Sequence, residues 1–443
     1  MAGGTFDSQN KVRAGVYLKF KAAPVVSSPG ARGVVAICEQ LSWGAFSEVM
    51  RITEGSNIQK LTGYPIDHSK NRFIREIFKG TNRTGGPAEI LLMRAAVTSG
   101  AAATATVGNL TATALYAGVR GNDIAVSVIA PASGSVYTVN TIVGGTVIDT
   151  QLASDVSGLV DNDWVKFTGS GAFTASAGTS LTGGADGTLS SAAHGAFLDA
   201  IEPYHFDVLC YDGTDSTTIA AYINFIKRLA VESGKFAQLT VAGATTPNDE
   251  HVINVFSAVV LEDGTALAAN QVTWWAAGAA AGAKYNESLT YAQYPGAVSV
   301  STVMSNADYV AAIEAGKFVL FADLGKVYVE ADIDSLVTVS EDKPKAFKKN
   351  RTMRLLNQLA NWCAAEFGAN YIGVISNTDS GRALYKAAVV GYLLKVQAND
   401  GIKNFSADDV QVYAGEEPDA VVLAIEIQPV DATEKIYITI QVA

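Results

Sequence analysis

The sequence is poor in cysteine, in histidine and in charged side chains. Its three cysteines, Cys38, Cys210 and Cys363, are far apart and show no CxxC spacing, so neither a disulfide framework nor a thiolate metal site is indicated. Only 32 residues are Lys or Arg against 43 Asp and Glu, a formal net charge of -11. Because a nucleic-acid binder needs a clustered excess of basic residues, we expect no nucleic-acid partner.

Long apolar runs and a basic leader are also missing. Residues 272–283 form the most apolar-looking stretch, which is far below the roughly 20 residues that a membrane-spanning helix needs. The first residues contain no basic segment leading into an apolar core. We therefore expect no membrane insertion, no secretory signal, and folding in a reducing compartment such as a bacterial cytoplasm.

No recognisable catalytic or nucleotide-binding motif is present. The glycine-rich segment 183–187 follows polar turn residues instead of a buried strand, so it predicts a loop. We expect no enzyme activity, no cofactor and no metal ion. A catalytic triad could be drawn on paper from Asp207 or Asp212 and a distant serine, but any long chain permits this. For His205, a packed or capping role is favoured over catalysis. The four histidines lie outside any Gly-x-Ser-x-Gly or HExxH motif: His68, His194, His205 and His251.

Hydrophobic periodicity predicts an α/β, multidomain chain, and its 443 residues are enough for about three domains. The predicted middle domain comprises residues 23–94 and 190–342. Between them, residues 95–189 are rich in Ala, Gly, Thr, Ser and Val and predict an inserted, outward-facing all-β domain. Strands of the middle domain are predicted at 33–38, 90–93, 206–210, 238–241, 255–261 and 317–322, and helices at 69–79, 192–201, 219–233 and 272–283.

Residues 343–443 predict an α+β C-terminal domain. Helices are indicated at 350–367 and 380–396 and strands at 410–413, 421–428 and 435–442. The last strand and an N-terminal one, over residues 10–20, both alternate with period two. Such terminal strands either complete the chain's own sheet, which spacing alone favours, or add to the sheet edge of a neighbouring subunit.

Four segments, in the same order along the chain, resemble the tail sheath proteins of contractile bacteriophages and prophage-like particles. They are Asn10–Tyr17, Tyr116–Ile124, Lys349–Leu356 and Asp431–Thr439. Ala14 stands where that family commonly has proline. The resemblance implies a structural subunit that polymerises as a helical stack of hexameric rings around the tail tube. Contraction of this sheath would drive the tube through the host envelope.

The resemblance also implies an arrangement of the domains and a set of partners. The C-terminal domain and two exchanged arms, residues 1–22 and 431–443, would face the tube, with the β insertion outermost. Implied partners are further copies of the chain, the tube protein, and the baseplate and tail terminator proteins. The protein would be synthesised in the bacterial cytoplasm and reside in the virion tail.

Three sets of residues are the candidate functional sites. The N-terminal arm would link subunits through Val12, Arg13, Val16, Tyr17, Leu18 and Phe20, and the C-terminal arm through Ile436, Tyr437, Ile438, Ile440 and Val442. A basic run that begins at Lys343 would either attach weakly to an acidic tube or form a solvated helix start. The candidate tube-facing residues are Lys345, Lys348, Lys349, Arg351 and Arg354, with Arg382, Lys386 and Lys395 as a rival set.

Two other classes of protein remain open at the level of sequence. The charge-poor β insertion is also typical of a surface adhesin or binding module. The flanking α/β halves are also compatible with a hydrolase that has a subtilisin-like fold, although a fold alone does not indicate catalytic activity.

Overall fold

The computed structural model describes residues 2–5, 15–18, 33–46 and 48–442. They form two compact units: residues 2–5 and 15–18 with 361–430, and residues 33–46 and 48–360 with 431–442. Strands β1 (Ala2–Thr5) and β2 (Gly15–Leu18) pair in parallel. The predicted N-terminal strand is thus confirmed at 15–18, whereas Val12, Arg13 and Phe20 lie outside the described residues.

The middle domain begins with a β-α-β segment, as predicted. Two short helices precede the return strand. A 3₁₀ turn at Ser69–Asn71 leads directly into the second helix, which therefore begins a few residues later than predicted. A strand at Val49–Ile52 was not predicted, because four residues are too few to show alternation. The elements are β3 (Val34–Glu39), β4 (Val49–Ile52), α1 (Ile58–Thr62), α2 (Arg72–Phe78) and β5 (Glu89–Arg94).

An all-β domain follows, which confirms the prediction from composition. One sheet has the order β10-β9-β8-β12 and another pairs β11 with β7. Their inner faces share a core into which Trp43 enters from the middle domain, stacking on Trp164 with ring centroids 4.8 Å apart. The strands are β6 (Val97–Thr98), β7 (Thr104–Ala114), β8 (Ile124–Ile129), β9 (Tyr137–Val143), β10 (Thr146–Ala153), β11 (Val165–Phe173), β12 (Ser176–Ser180) and β13 (Thr188–Leu189).

The chain then returns to the middle domain. The strand predicted at 255–261 is divided, and α6 was not predicted. The elements are α3 (Ala193–Ile201), β14 (Val208–Cys210), α4 (Ser216–Ser233), β15 (Gln238–Ala242), β16 (Val252–Val255), β17 (Val259–Leu261), β18 (Ala266–Leu267), α5 (Ala269–Gly282), β19 (Gln293–Tyr294), β20 (Ala297–Val300), α6 (Asn306–Glu314), β21 (Lys317–Phe318), β22 (Leu320–Asp323) and β23 (Lys326–Val329).

The central sheet has seven strands in the order β21-β16-β15-β14-β3-β5-β4, and only β4 runs antiparallel to its neighbour. Helices cover both faces, so its strands are mostly apolar, with Gln238, Thr240 and Asn254 as buried polar exceptions. Along β3, Val35 and Ile37 face α2 and α5, whereas Ala36 and Cys38 face α3 and α4. A β-carbon at Gly278 would lie 1.8 Å from the Ile77 carbonyl oxygen, so glycine allows α5 to approach α2 closely.

The C-terminal part contains two long helices and two short hairpin-like sheets. Within it, Trp362 stacks on Tyr392 with centroids 4.0 Å apart. Residues 410–414 pair with residues 421–425 in antiparallel register, and residues 402–403 pair with residues 428–429. The elements are α7 (Asn350–Asn370), α8 (Asp379–Ala398), β24 (Ile402–Lys403), β25 (Val410–Ala414), β26 (Val421–Ile425) and β27 (Gln428–Pro429).

Candidate subunit-linking site

The C-terminal arm, residues 431–442, forms no strand with any other described residue, so the strand predicted at 435–442 is not part of the chain's own sheets. The alternating pattern is present, but both of its faces are open to solvent. Large apolar side chains rarely cluster on a surface without a partner. Their exposed fractions are 77% for Ile436, 90% for Tyr437, 79% for Ile438, 82% for Ile440 and 93% for Val442.

The base of this arm is held in place by Glu434. Its carboxylate accepts a hydrogen bond from the Thr290 hydroxyl, 2.9 Å away, and another from the Lys349 ammonium group. Asp431 adds a second acidic group 4.0 Å from the same Lys349 nitrogen. Because the Glu434 side chain is only 16% exposed, this ion pair is less screened than a pair on an open surface.

A buried polar cluster lies behind that attachment, centred on Asp332. One Asp332 oxygen accepts from Arg354 at 2.6 Å and from the Leu289 amide at 2.9 Å, and the other accepts from the Asn350 amide group at 2.9 Å. The Asp332 amide donates to the Thr290 hydroxyl at 2.9 Å. Thr290 thus joins the base of the arm to the start of α7.

The basic run does not form the tube-facing surface that the sequence predicted. Arg354 is completely buried and Arg351 is 7% exposed, because the start of α7 turns these positions into the protein. Lys349 is bound to the arm, and Lys343 donates to Glu250 at 2.7 Å. Of the candidate tube-facing residues, Lys345 is exposed and Lys348 partly exposed, so any attachment to a tube rests on these two.

The rival set on α8 is also less exposed than expected. Arg382 is half-buried, donates to the Asn377 side chain at 2.7 Å and pairs with Asp379. Lys386 and Lys395 are half-buried too. The open face of α8 instead carries small and apolar residues at helical spacing: Leu384, Ala387, Leu394 and Ala398.

The β25–β26 hairpin offers two strand edges without a backbone partner among the described residues. Its register pairs Val410 with Ile425 and Ala414 with Val421. Beside β26 lies an open groove of about 690 Å³. The groove is bordered by Ile372 and Val374, which are 70% and 69% exposed. The hairpin packs on α8 through β25, where Val410 is completely buried, and its unpaired strand edges could accept a further strand.

The N-terminal candidates are only partly within the described chain. Val16, Tyr17 and Leu18 belong to β2. Their role in linking subunits stays a prediction.

The residues considered for catalysis occupy structural positions. His194 lies 3.0 Å from the Tyr222 hydroxyl, and burial lowers its pKa. His68 caps a 3₁₀ turn by accepting from the Lys70 amide, and His205 is exposed. The Asp207 carboxylate accepts from the Gly33 and Val34 amides at 2.8 and 3.0 Å, which fixes the start of β3.

Asp212 and Glu39, the last residue of β3, form a half-buried acidic pair. The Asp212 carboxylate accepts a hydrogen bond from the Trp274 indole at 3.0 Å. Burial, followed by the negative charge of Asp212, raises the pKa of Glu39 well above its usual range. No helix in the described chain has the length and apolar content to span a membrane.

Comparison with known proteins identifies the family. Residues 98–186 match the model of the phage tail sheath protein beta-sandwich domain, residues 187–335 the central domain and residues 342–443 the C-terminal domain. The chain belongs to the phage tail sheath protein family, which confirms the resemblance seen in the sequence. Tail sheath proteins are structural components of phage particles.

Individual relatives agree with this assignment over the whole chain. The phage-like element PBSX protein XkdK of Bacillus subtilis is 32% identical over the full length of both proteins. The crystal structure of a sheath tail protein from Desulfitobacterium hafniense is 38% identical, with a TM-score of 0.86 over 96% of this chain and 99% of that one. The anti-feeding prophage helical sheath in its contracted state shares the fold, with a TM-score of 0.58 at 12% identity over 97% of this chain and 99% of that one.

The position of the arm could be predicted from the sequence, whereas its attachment to Thr290 could not. Glu434 lies inside a segment that resembles the family, yet nothing in the local pattern identifies Thr290 as its partner 144 residues earlier.

Proposed function

We propose that this chain is a subunit of a contractile tail sheath, which polymerises as stacked hexameric rings around a tail tube. Membership of the sheath family supports the structural role. The fold shared with the anti-feeding prophage sheath, which was determined in a contracted state, supports contraction. Further copies of the chain, the tube, the baseplate and the tail terminator are the proposed partners, in the virion tail.

The observation that carries the proposal is the exposed apolar arm. Fully burying one large apolar side chain contributes about 1.5–3 kcal/mol, and this arm leaves five of them in water. The chain itself supplies no sheet for the arm among the described residues. A neighbouring subunit supplies one by strand addition, in which backbone hydrogen bonds give affinity and alternate side chains give register.

The β25–β26 hairpin of the neighbour is the proposed acceptor. Each of its strands has five residues, a length that the alternating arm covers. An arm lying along β26 places one row of side chains in the groove bordered by Ile372 and Val374. Both surfaces are apolar and exposed in the free chain, so the contact buries them together.

This contact joins two different surfaces, the arm of one subunit and the hairpin of the next. Such heterologous contacts close into a ring or continue as a helix, according to the rotation between subunits. Contraction is then a change between two packings of the same domains while the arms keep neighbours connected. The energy resides in the extended packing, and no nucleotide need be hydrolysed.

The test is to substitute polar residues within the arm. The double variant Ile438→Asn with Ile440→Asn should fold normally and fail to form tubes, as measured by sedimentation velocity and negative-stain electron microscopy. The matched control is Val303→Asn, because Val303 is 95% exposed in the middle domain, and it should assemble like the unaltered chain. Normal tubes from the double arm variant would refute the arm's role.

A further inference from the structure

We propose that Asp249, Glu250 and His251 form a binding site for a divalent transition-metal ion, with Zn²⁺ the best match to their donor atoms. The three residues are consecutive and lie directly before β16. Two carboxylates and an imidazole are ligands that Zn²⁺ commonly uses in proteins. The site lies apart from the arm and is independent of the proposed assembly.

The distances between the donor atoms suit metal coordination better than direct hydrogen bonding. The His251 Nδ1 atom lies 3.5 Å from an Asp249 oxygen and 4.0 Å from a Glu250 oxygen. One ligand atom from each residue falls within 4.8 Å of the others. Bonds of about 2.0–2.2 Å place neighbouring ligands of a tetrahedral Zn²⁺ about 3.4 Å apart, whereas hydrogen bonds at nitrogen are near 3.0 Å.

A fourth buried acid adjoins the cluster. Asp334 is completely buried, and its Oδ2 atom has no hydrogen-bond partner among the described residues. Asp334 lies close to the cluster because the next residue, Ser335, is hydrogen-bonded beside it. The Ser335 hydroxyl donates to the Asp249 carbonyl at 2.9 Å, and the Ser335 amide donates to the Val252 carbonyl at 2.8 Å. A bound cation would satisfy this carboxylate.

Two lysines already show that the cluster attracts positive charge. Lys343 lies 2.7 Å from Glu250 and Lys227 lies 3.4 Å from Asp249. Lys343 lies 2.7 Å from both Glu250 oxygens, and Asp249 also accepts the His251 amide at 2.9 Å, so a bound metal ion would take the place of the Lys343 ammonium on Glu250. The cluster itself is shielded, because Asp249 and Glu250 are each 6% exposed.

The test is titration of the full-length chain, first stripped with a chelator, with Zn²⁺ in an isothermal calorimeter. One Zn²⁺ per chain is expected, with much weaker binding of Mg²⁺ and Ca²⁺. The variant His251→Ala should weaken Zn²⁺ binding by about tenfold or more. His205→Ala is the matched control, because His205 is exposed and outside the cluster, and it should bind like the unaltered chain.

Thermal unfolding gives a second readout that does not depend on calorimetry. Added Zn²⁺ should raise the melting temperature of the unaltered chain, because a ligand that binds the folded state stabilises it. It should not raise that of His251→Ala. The proposal is overturned if the unaltered chain binds no stoichiometric Zn²⁺, or if His251→Ala and the unaltered chain bind it equally.

Discussion

Glu434, at the base of the C-terminal arm, accepts a hydrogen bond from Lys349, at the start of the first C-terminal helix. The two residues are 85 positions apart in the sequence, so this ion pair fixes where the exposed arm leaves the folded body. Because the Thr290 hydroxyl shares the same carboxylate, the direction of the arm is set from two sides.

Replacing Glu434 with Gln should therefore loosen the arm. A hydrogen bond to a charged group contributes about 1.5–3 kcal/mol, and partial exposure places the expected loss in unfolding free energy near the lower end. The measurements are urea unfolding and the rate of proteolysis within residues 431–442, which should rise. The matched control removes an exposed pair: Lys60→Met breaks a contact with Asp163 in which both side chains are more than half exposed, so at most about 1 kcal/mol is expected. Equal, negligible losses would show that Glu434 does not hold the arm.

Arg354 should behave as a structural residue. Truncation to Ala leaves the buried Asp332 carboxylate without its cation, and breaking a buried pair costs about 3–5 kcal/mol. The free energy of unfolding by urea measures this loss. A change below about 0.5 kcal/mol, the size typical of surface substitutions, would contradict the buried cluster.

Lys345 and Lys348 are the two residues of the basic run on which attachment to a tail tube now depends. The double variant Lys345→Glu with Lys348→Glu should keep its stability within about 0.5 kcal/mol, because neither side chain is buried. Assembly on purified tubes should weaken while self-assembly without tubes persists. Unchanged assembly on tubes would remove the hypothesis.

Removal of residues 1–20 should leave a folded chain that fails to form tubes, if the N-terminal segment acts between subunits. Circular dichroism melting and electron microscopy measure the two properties separately. A melting temperature far below that of the intact chain would instead assign the β1–β2 pair to the chain's own stability.

The acidic pair Glu39 and Asp212 should make stability depend on pH. The pKa of Glu39 is raised from its usual 4.5, so the folded state holds a proton that the unfolded state releases. The contribution is fully present below pH 4.5 and is lost as pH rises through the folded-state pKa. Glu39→Gln should therefore flatten the decline in unfolding free energy above pH 4.5, because an amide does not ionise. Glu54→Gln, at an exposed position, should leave the pH profile unchanged.

Sequence patterns predicted what depends on local spacing. The apolar stripe of α7 and the charge-poor composition of the β insertion both led to elements that the structure contains. Spacing could not identify the neighbour of an amphipathic strand, since alternation at Ile436 and Ile438 is the same whether the sheet belongs to this chain or another. Spacing also failed to predict that Arg354 is buried. Its burial depends on an ion pair with Asp332, a residue that precedes α7 in the sequence.

Negative-stain electron microscopy of the purified, concentrated chain, alone and then with assembled tails, tests the central claim most directly. The sheath assignment predicts hollow tubes or stacked rings of uniform diameter, with sixfold symmetry in end views. Dispersed monomers under both conditions would contradict the proposal that the arms join subunits into a polymer.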